Sequence, residues 1–224
     1  MTPAPSPPFS SVLTSADELG ELYTPPSAAV AAKKIDHVDA GAAALIAASP
    51  LVLVATSDEH GRCTVSPRGG PAGFVRVLDP HRLALADAPG NRLLDSARNL
   101  LANPHVGLLF VLPGRSWTLR VAGRAWLTRD PEVLAAVPEA DGARRMAIGV
   151  QVESTFVHCG RAFELGHVWE PDSWEAVDAP DAAAVFRGHV AANTGRAVNT
   201  GRAADNGRAA GTGRAAGAAA GSPG

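Results

Sequence analysis

The hydrophobic pattern of the chain changes period several times between residues 39 and 165. LVLVATS (51–57), CTVSPRG (63–69), FVRVLD (74–79) and RLALAD (82–87) are short alternating or apolar runs divided by turn residues, and they predict four strands. In GNRLLDSARNLLANPHVGLLF (90–110) the period becomes helical: Leu93, Leu94, Ala97, Leu100 and Leu101 recur as one buried face, with Asn91 as the cap and Asn103-Pro104 as the stop. HVGLLFVL (105–112) and the long SWTLRVAGRAWLT (116–128) follow as strands, and Gly123 within the second marks a bulge or a close backbone approach. A helix PEVLAAV (131–137), a strand GVQVESTFVH (149–158) and a short helix at 161–165 complete the pattern. Helices at 17–23 and 39–48 precede it.

Strands therefore come in runs, with helices set between the runs. That order predicts a mainly β protein with helices, an α+β barrel, and disfavours a doubly wound sheet, in which strands and helices would alternate. The domain expected from these elements spans residues 15–180. It follows a Pro/Ser-rich N-terminus (1–14) expected to be disordered. From 194 the chain repeats TGRAVN, TGRAAD, NGRAAG and TGRAAG. These repeats hold no bulky apolar residue to fill a solenoid, so 187–224 reads as a disordered low-complexity Gly/Ala/Arg tail.

Charge narrows the partners. The net charge is −2, but residues from 187 onward carry five arginines against Asp205, which leaves −6 for the rest. A mildly acidic folded region has no electrostatic footprint for nucleic acid. No apolar run is long enough to span a bilayer and the N-terminus has no signal-peptide pattern, so the expectation is a cytoplasmic protein with no membrane partner. The two cysteines, Cys63 and Cys159, stand far apart without a CxxC pattern and read as reduced thiols.

Several chemistries lack their motifs. There is no GxxxxGK[ST] loop, and Lys33 and Lys34 are the only lysines; GxSxG and HExxH are absent too. His60 and Cys63 have no second ligand pair, so no metal site is expected. What remains is a set of arginines and small polar residues at strand ends: Ser66 and Arg68, then Asp87 with Asn91, Arg92 and Ser96, then Thr118 and Arg120. A helix start followed by arginine directs N–H groups, a guanidinium and the positive end of the helix dipole at one point, which suits a phosphate. In the long strand Thr118, Arg120 and Ala122 share one face, while Trp117, Leu119 and Val121 share the other.

TVSPRG (64–69), LALADAPGNRLLDSARNLLANPHVGLLF (83–110), TLRVAGRA (118–125) and HCGRAF with VWEP (158–171) resemble the pyridoxamine 5′-phosphate oxidase-like flavoproteins of the split β-barrel type. The wording is most similar to a bacterial FMN-dependent group. The resemblance covers residues 45–175 and implies an FMN-binding split β-barrel with peripheral helices, a homodimer with FMN in clefts between the subunits. It implies that Arg68 is the strand arginine on the phosphate and that Asn91, Arg92 and Ser96 supply the turn and helix contacts; Ser66 and Asp87, from the strand ends, join them as candidate cofactor-binding residues. Thr118 would approach the flavin ring from the other subunit, Arg120 on the same strand face is a further candidate cofactor-binding residue, and Arg161 and Trp169 would lie near the ring edge. The strand arginine of the true oxidases is followed by a phosphate-binding lysine, which this chain lacks.

The resemblance implies an FMN-dependent oxidoreductase acting on a small-molecule substrate, with a nicotinamide reductant as one electron source. A non-catalytic flavin-binding or storage protein is the alternative, as is a relative that binds deazaflavin or haem. A deazaflavin tail would call for a more basic groove than Arg68, Arg76 and Arg92 provide.

Overall fold

The computed structural model describes residues 7–87, 90, 92–138, 145–175 and 179–195. In chain order the elements of the first compact unit, which runs to Trp174, are α1 (Ala16–Leu22), α2 (Ala28–Ala32), α3 (Ala40–Ala48), β1 (Leu51–Ser57), β2 (Cys63–Gly69), β3 (Val75–Asp79), β4 (Arg82–Ala86), α4 (Asp95–Ala102), β5 (His105–Val111), β6 (Trp117–Thr128), α5 (Pro131–Ala136), β7 (Ala147–Cys159), α6 (Arg161–Leu165) and α7 (Pro171–Glu175), whose last residue falls in the second unit. The second unit contains α8 (Ala182–Thr194), capped by the Asp181 carboxylate and ended by Gly195 in the left-handed region. The predicted strands all form, within one or two residues at their ends. Sequence reading missed α2, α7 and α8; the stretch expected to be tail from 187 is helical as far as Thr194. The repeats beyond 195 lie outside the described residues.

All seven strands join one antiparallel sheet in the order β2-β1-β5-β6-β7-β4-β3. The sheet does not close through hydrogen bonds: β2 and β3 are its edges. Yet they are consecutive in the chain. Six inter-strand steps would set them ~29 Å apart in a flat sheet, whereas the chain from Gly69 to Val75 reaches at most ~21 Å. The sheet must curl, and it curls around an apolar interior of Val52, Val54, Leu83, Leu85, Leu108, Phe110, Leu119, Val121, Ile148 and Val150. Ile46 of α3 and Leu100 of α4 enter the same core. Asp39 caps α3 by accepting from Ala42 N–H at 2.7 Å, as expected for a helix starting there.

Gly123 fulfils its expected role. The β6–β7 register shifts between Ala122 and Gly123, leaving Glu153 of β7 as the extra residue. A Cβ at Gly123 would lie 1.9 Å from the Gln151 carbonyl oxygen, so the two backbones meet where only glycine fits.

Candidate functional site

Helix α4 differs from its expected form at the end that matters. It begins at Asp95, four residues after Asn91, and its N-cap position is Leu94, in the left-handed region at φ 58° and with no side-chain cap. Asn91 itself lies outside the described residues, so its role as cap is replaced by an uncapped start. The expected apolar face also fails: Leu93, Leu94 and Leu101 are exposed, and the buried residues are Ser96, Asn99 and Leu100. The physical reason is the later start. Leu93 and Leu94 precede the helix, and its phase is set by what Ser96 and Asn99 meet on the sheet.

They meet a polar strand face. On β2 the inward residues are Thr64, Ser66 and Arg68, half-buried between exposed neighbours. Asn99 Nδ2 donates to Thr56 Oγ1 at 3.0 Å and to Thr64 Oγ1 at 3.1 Å, and Ser96 Oγ donates to Ser66 Oγ at 3.3 Å. At the far end Asn103 Nδ2 donates to Ser57 Oγ at 2.9 Å. Moving along this seam from Thr64 to Ser66 moves up α4 from Asn99 to Ser96. The same progression along β2 carries Arg68 beyond Ser66, towards the start of the helix.

Arg68 is half-buried there. Its Nη1 lies 3.8 Å from Asp87 Oδ1, beyond ordinary hydrogen-bond length, and its Nε is buried with no hydrogen-bond partner among the described residues. Arg92 is exposed, with φ at 63°, so two non-glycine residues before the helix hold the left-handed region. Such conformations cost roughly 1–3 kcal/mol each and persist where the surroundings impose them. Asp95, in the first turn of α4, and Asp87 add negative charge to the same region.

The structure thus brings Ser66, Arg68, Asp87 and Ser96 together. It does not bring Thr118 and Arg120 to them within one chain. Arg68 shares a cross-sheet row and a face with the core residues Val52, Phe110 and Leu119; Thr118 lies on the next row, with Val111 and Leu51, and faces the other way. Thr118 is nonetheless buried, its hydroxyl reaching the His158 carbonyl at 3.4 Å, while Arg120 is exposed and lies over the Phe156 ring at 5.5 Å. Arg161 is exposed at the start of α6. Trp169 packs on Phe163 with ring centroids 5.3 Å apart and donates to the Arg115 carbonyl at 3.1 Å.

Sequence reading missed Asn99, Thr56 and Thr64. The signal was present: Ser96, Asn99 and Asn103 recur at i, i+3 and i+7 beside a strand whose inward positions are Thr, Ser and Arg. His60 and Cys63 are exposed; His60 pairs with Glu59, and the Cys63 thiol contacts the Gly61 carbonyl. No group of three or more metal-ligating side chains occurs among the described residues. Nor is any helix among them long and apolar enough to cross a membrane.

Residues 38–159 match the family model described as pyridoxamine 5′-phosphate oxidase. No curated protein matches the chain. Among solved structures it is similar to HupZ of Group A Streptococcus, at 20% identity and a TM-score of 0.43 over 51% of this chain and 89% of that one. A putative pyridoxamine 5′-phosphate oxidase from Lactobacillus delbrueckii shares 22% identity, with a TM-score of 0.41 over 55% and 99% of the two chains. HutZ, the heme storage protein of Vibrio cholerae, shares 16% identity, with a TM-score of 0.41 over 55% and 94%.

Proposed function

Because the chain belongs to the pyridoxamine 5′-phosphate oxidase family, we propose that it is an FMN-dependent oxidoreductase acting on a small molecule, with the flavin phosphate seated between Arg68 and the first turn of α4. The observation that carries this reading is the Nε of Arg68, a charged donor buried with no hydrogen-bond partner among the described residues, two positions along β2 from the Ser66–Ser96 contact in the uncapped first turn of α4. A buried guanidinium donor left without an acceptor is costly, and a phosphate oxygen satisfies it with a charge-assisted bond. The Ser66 hydroxyl, which accepts from Ser96 and keeps its own hydrogen, and the N–H groups of the first turn would complete a donor set suited to a phosphate. Asp87, 3.8 Å from the guanidinium, competes with the phosphate for it.

Bound FMN would supply the hydride and electron chemistry. The protein's residues would bind and orient it, which accounts for a site built from phosphate donors rather than from a nucleophile and base. Arg120, exposed on the outer face, would reach the flavin of a partner subunit in a homodimer, whereas Thr118 beside it is buried within its own chain.

The test is spectroscopic. Purified protein should carry flavin absorbance, apoprotein should quench FMN fluorescence on titration, and a nicotinamide reductant should bleach the bound flavin. A haem Soret band, or colourless protein that takes up no FMN, would overturn the cofactor. Flavin that binds but is never reduced by any donor would leave a carrier and overturn the oxidoreductase.

A further inference from the structure

One buried side chain touches neither Arg68 nor the start of α4, yet fixes one against the other. Asn99 is 8% exposed, and its amide N–H₂ donates to Thr56 at 3.0 Å and to Thr64 at 3.1 Å, which uses both of its hydrogens. The two threonine hydroxyls lie 3.2 Å from each other, so the three side chains form a closed triangle joining α4 to β1 and β2. Leu100 also anchors the helix in the core, but apolar packing has no preferred direction along a helix axis. Hydrogen bonds do: a slide of one residue, ~1.5 Å, would break both Asn99 bonds. The helix start has no side-chain cap and follows two left-handed residues, so contacts further along the helix bear on its position. Ser96 and Ser66 continue the tie at 3.3 Å, a longer contact.

We propose that Asn99 is a positioning residue for the anion site: through Thr56 and Thr64 it sets the register of α4 on β2, and with it the spacing between the Arg68 guanidinium and the helix N–H groups. The inference rests on the FMN reading, in which a phosphate needs both halves at one distance. Its signature is selective. Loss of register weakens the grip on the phosphate and leaves the contacts of the rest of the flavin unchanged, so the ratio of FMN to riboflavin affinity reports on it.

The experiment titrates apoprotein with FMN and with riboflavin by fluorescence, alongside thermal melts. Wild type is expected to favour FMN, and Asn99→Leu to lower that preference about tenfold, the scale of one weakened charge-assisted bond, with riboflavin affinity held within about twofold. Thr56→Val with Thr64→Val removes the acceptors and should do the same, and provides the test if Asn99→Leu does not fold. Thr64→Ser keeps the hydroxyl and should keep the preference. Val121→Ala, a core change of comparable melting loss, should lower the melting temperature without moving the ratio. An unchanged ratio in both Asn99→Leu and the threonine double variant, with Arg68→Leu abolishing it, overturns the positioning role alone. A wild type with no preference for FMN overturns the phosphate reading and this inference together.

Discussion

Arg68 Nη1 stands 3.8 Å from Asp87 Oδ1, and this contact bridges β2, one edge of the sheet, to the end of β4, one strand in from the other edge. The curled sheet has its seam there. A long ion pair at a seam, with one guanidinium nitrogen buried and without a hydrogen-bond partner among the described residues, closes the barrel only in part and leaves Arg68 available to a stronger anion.

Arg68→Ala should therefore weaken FMN by about 1.5–3 kcal/mol, roughly ten- to a hundredfold. Asp87→Asn should act in the opposite direction, since it removes the carboxylate that competes for the guanidinium. Titration of the two apoproteins decides it: FMN affinity unchanged in the first, or weakened in the second, contradicts the assignment.

Gly123→Ala should be strongly destabilising. The added methyl would fall 1.9 Å from the Gln151 carbonyl oxygen and 3.1 Å from the Glu153 nitrogen, both backbone atoms that cannot rotate away. Overpacking of this kind costs about 3 kcal/mol, which for a domain of this size lowers the melting temperature by roughly 6–12 °C. A variant that melts within 2 °C of wild type, on that same rough scale, would show that the bulge can re-form around a side chain.

Thr155→Val should stabilise. Thr155 exchanges both backbone hydrogen bonds with Ile35, but its hydroxyl is buried without a partner among the described residues. Valine has the same shape without the unsatisfied group, so a gain of about 1 kcal/mol is expected. Denaturant melts with an unchanged slope check it, and a lower midpoint would mean that the hydroxyl has a partner after all.

Stability should fall in acid, in part through the β3–β4 turn. Arg82 Nε donates to Asp79 Oδ2 at 2.6 Å and the His81 N–H donates to Oδ1. The Arg82 bond above all, then the His81 bond, holds the Asp79 carboxyl below its ordinary value of 3.8 against the opposing effect of desolvation. A carboxyl depressed in the folded state stabilises it fully above about pH 4, and the contribution disappears as pH falls through the folded value. Asp58 is depressed in the same direction, chiefly by the Arg62 N–H. Asp79→Asn should lower the melting temperature at pH 6, and its gap from wild type should narrow as pH falls below about 4. A gap that stays constant across this range would exclude the linkage.

The strands were legible because their apolar periods are undisturbed; β1, with every second residue from Val52 to Thr56 buried, is the clearest case. Gly123 was legible because a glycine in a long alternating strand has few other uses. The start of α4 was not. Five apolar residues at helical spacing pointed to a greasy face, but the sheet opposite it presents Thr64, Ser66 and Arg68, so the helix turned Ser96 and Asn99 inward and left Leu93, Leu94 and Leu101 exposed. Local periodicity cannot report that choice, because it depends on which strand face the helix meets. The short α2, AAVAA, carried too little pattern to be read.

The last expectation concerns a second copy of the chain. On the outer face, the row Val65, Ala55, Gly107 and Ala122 crosses β2, β1, β5 and β6, with Leu53 and Leu109 on the row beside it. Val65 is 62% exposed and Leu53, Ala55, Gly107, Leu109 and Ala122 are half-buried, so the outer face of these strands carries an apolar area. Arg120 stands at the margin of this area over Phe156. Two such faces can pack about a twofold axis, since each supplies the surface that the other needs. In that arrangement Arg120 of one subunit would serve the flavin held by Arg68 of the other, which reconciles their placement on opposite faces of one chain. Val65→Lys should then convert a dimer to a monomer in light scattering and release FMN in the same concentration range, because a ligand bound between subunits stabilises only the dimer. A wild-type monomer that retains FMN on dilution would refute the shared site, as would a Val65→Lys monomer that binds FMN as tightly as wild type.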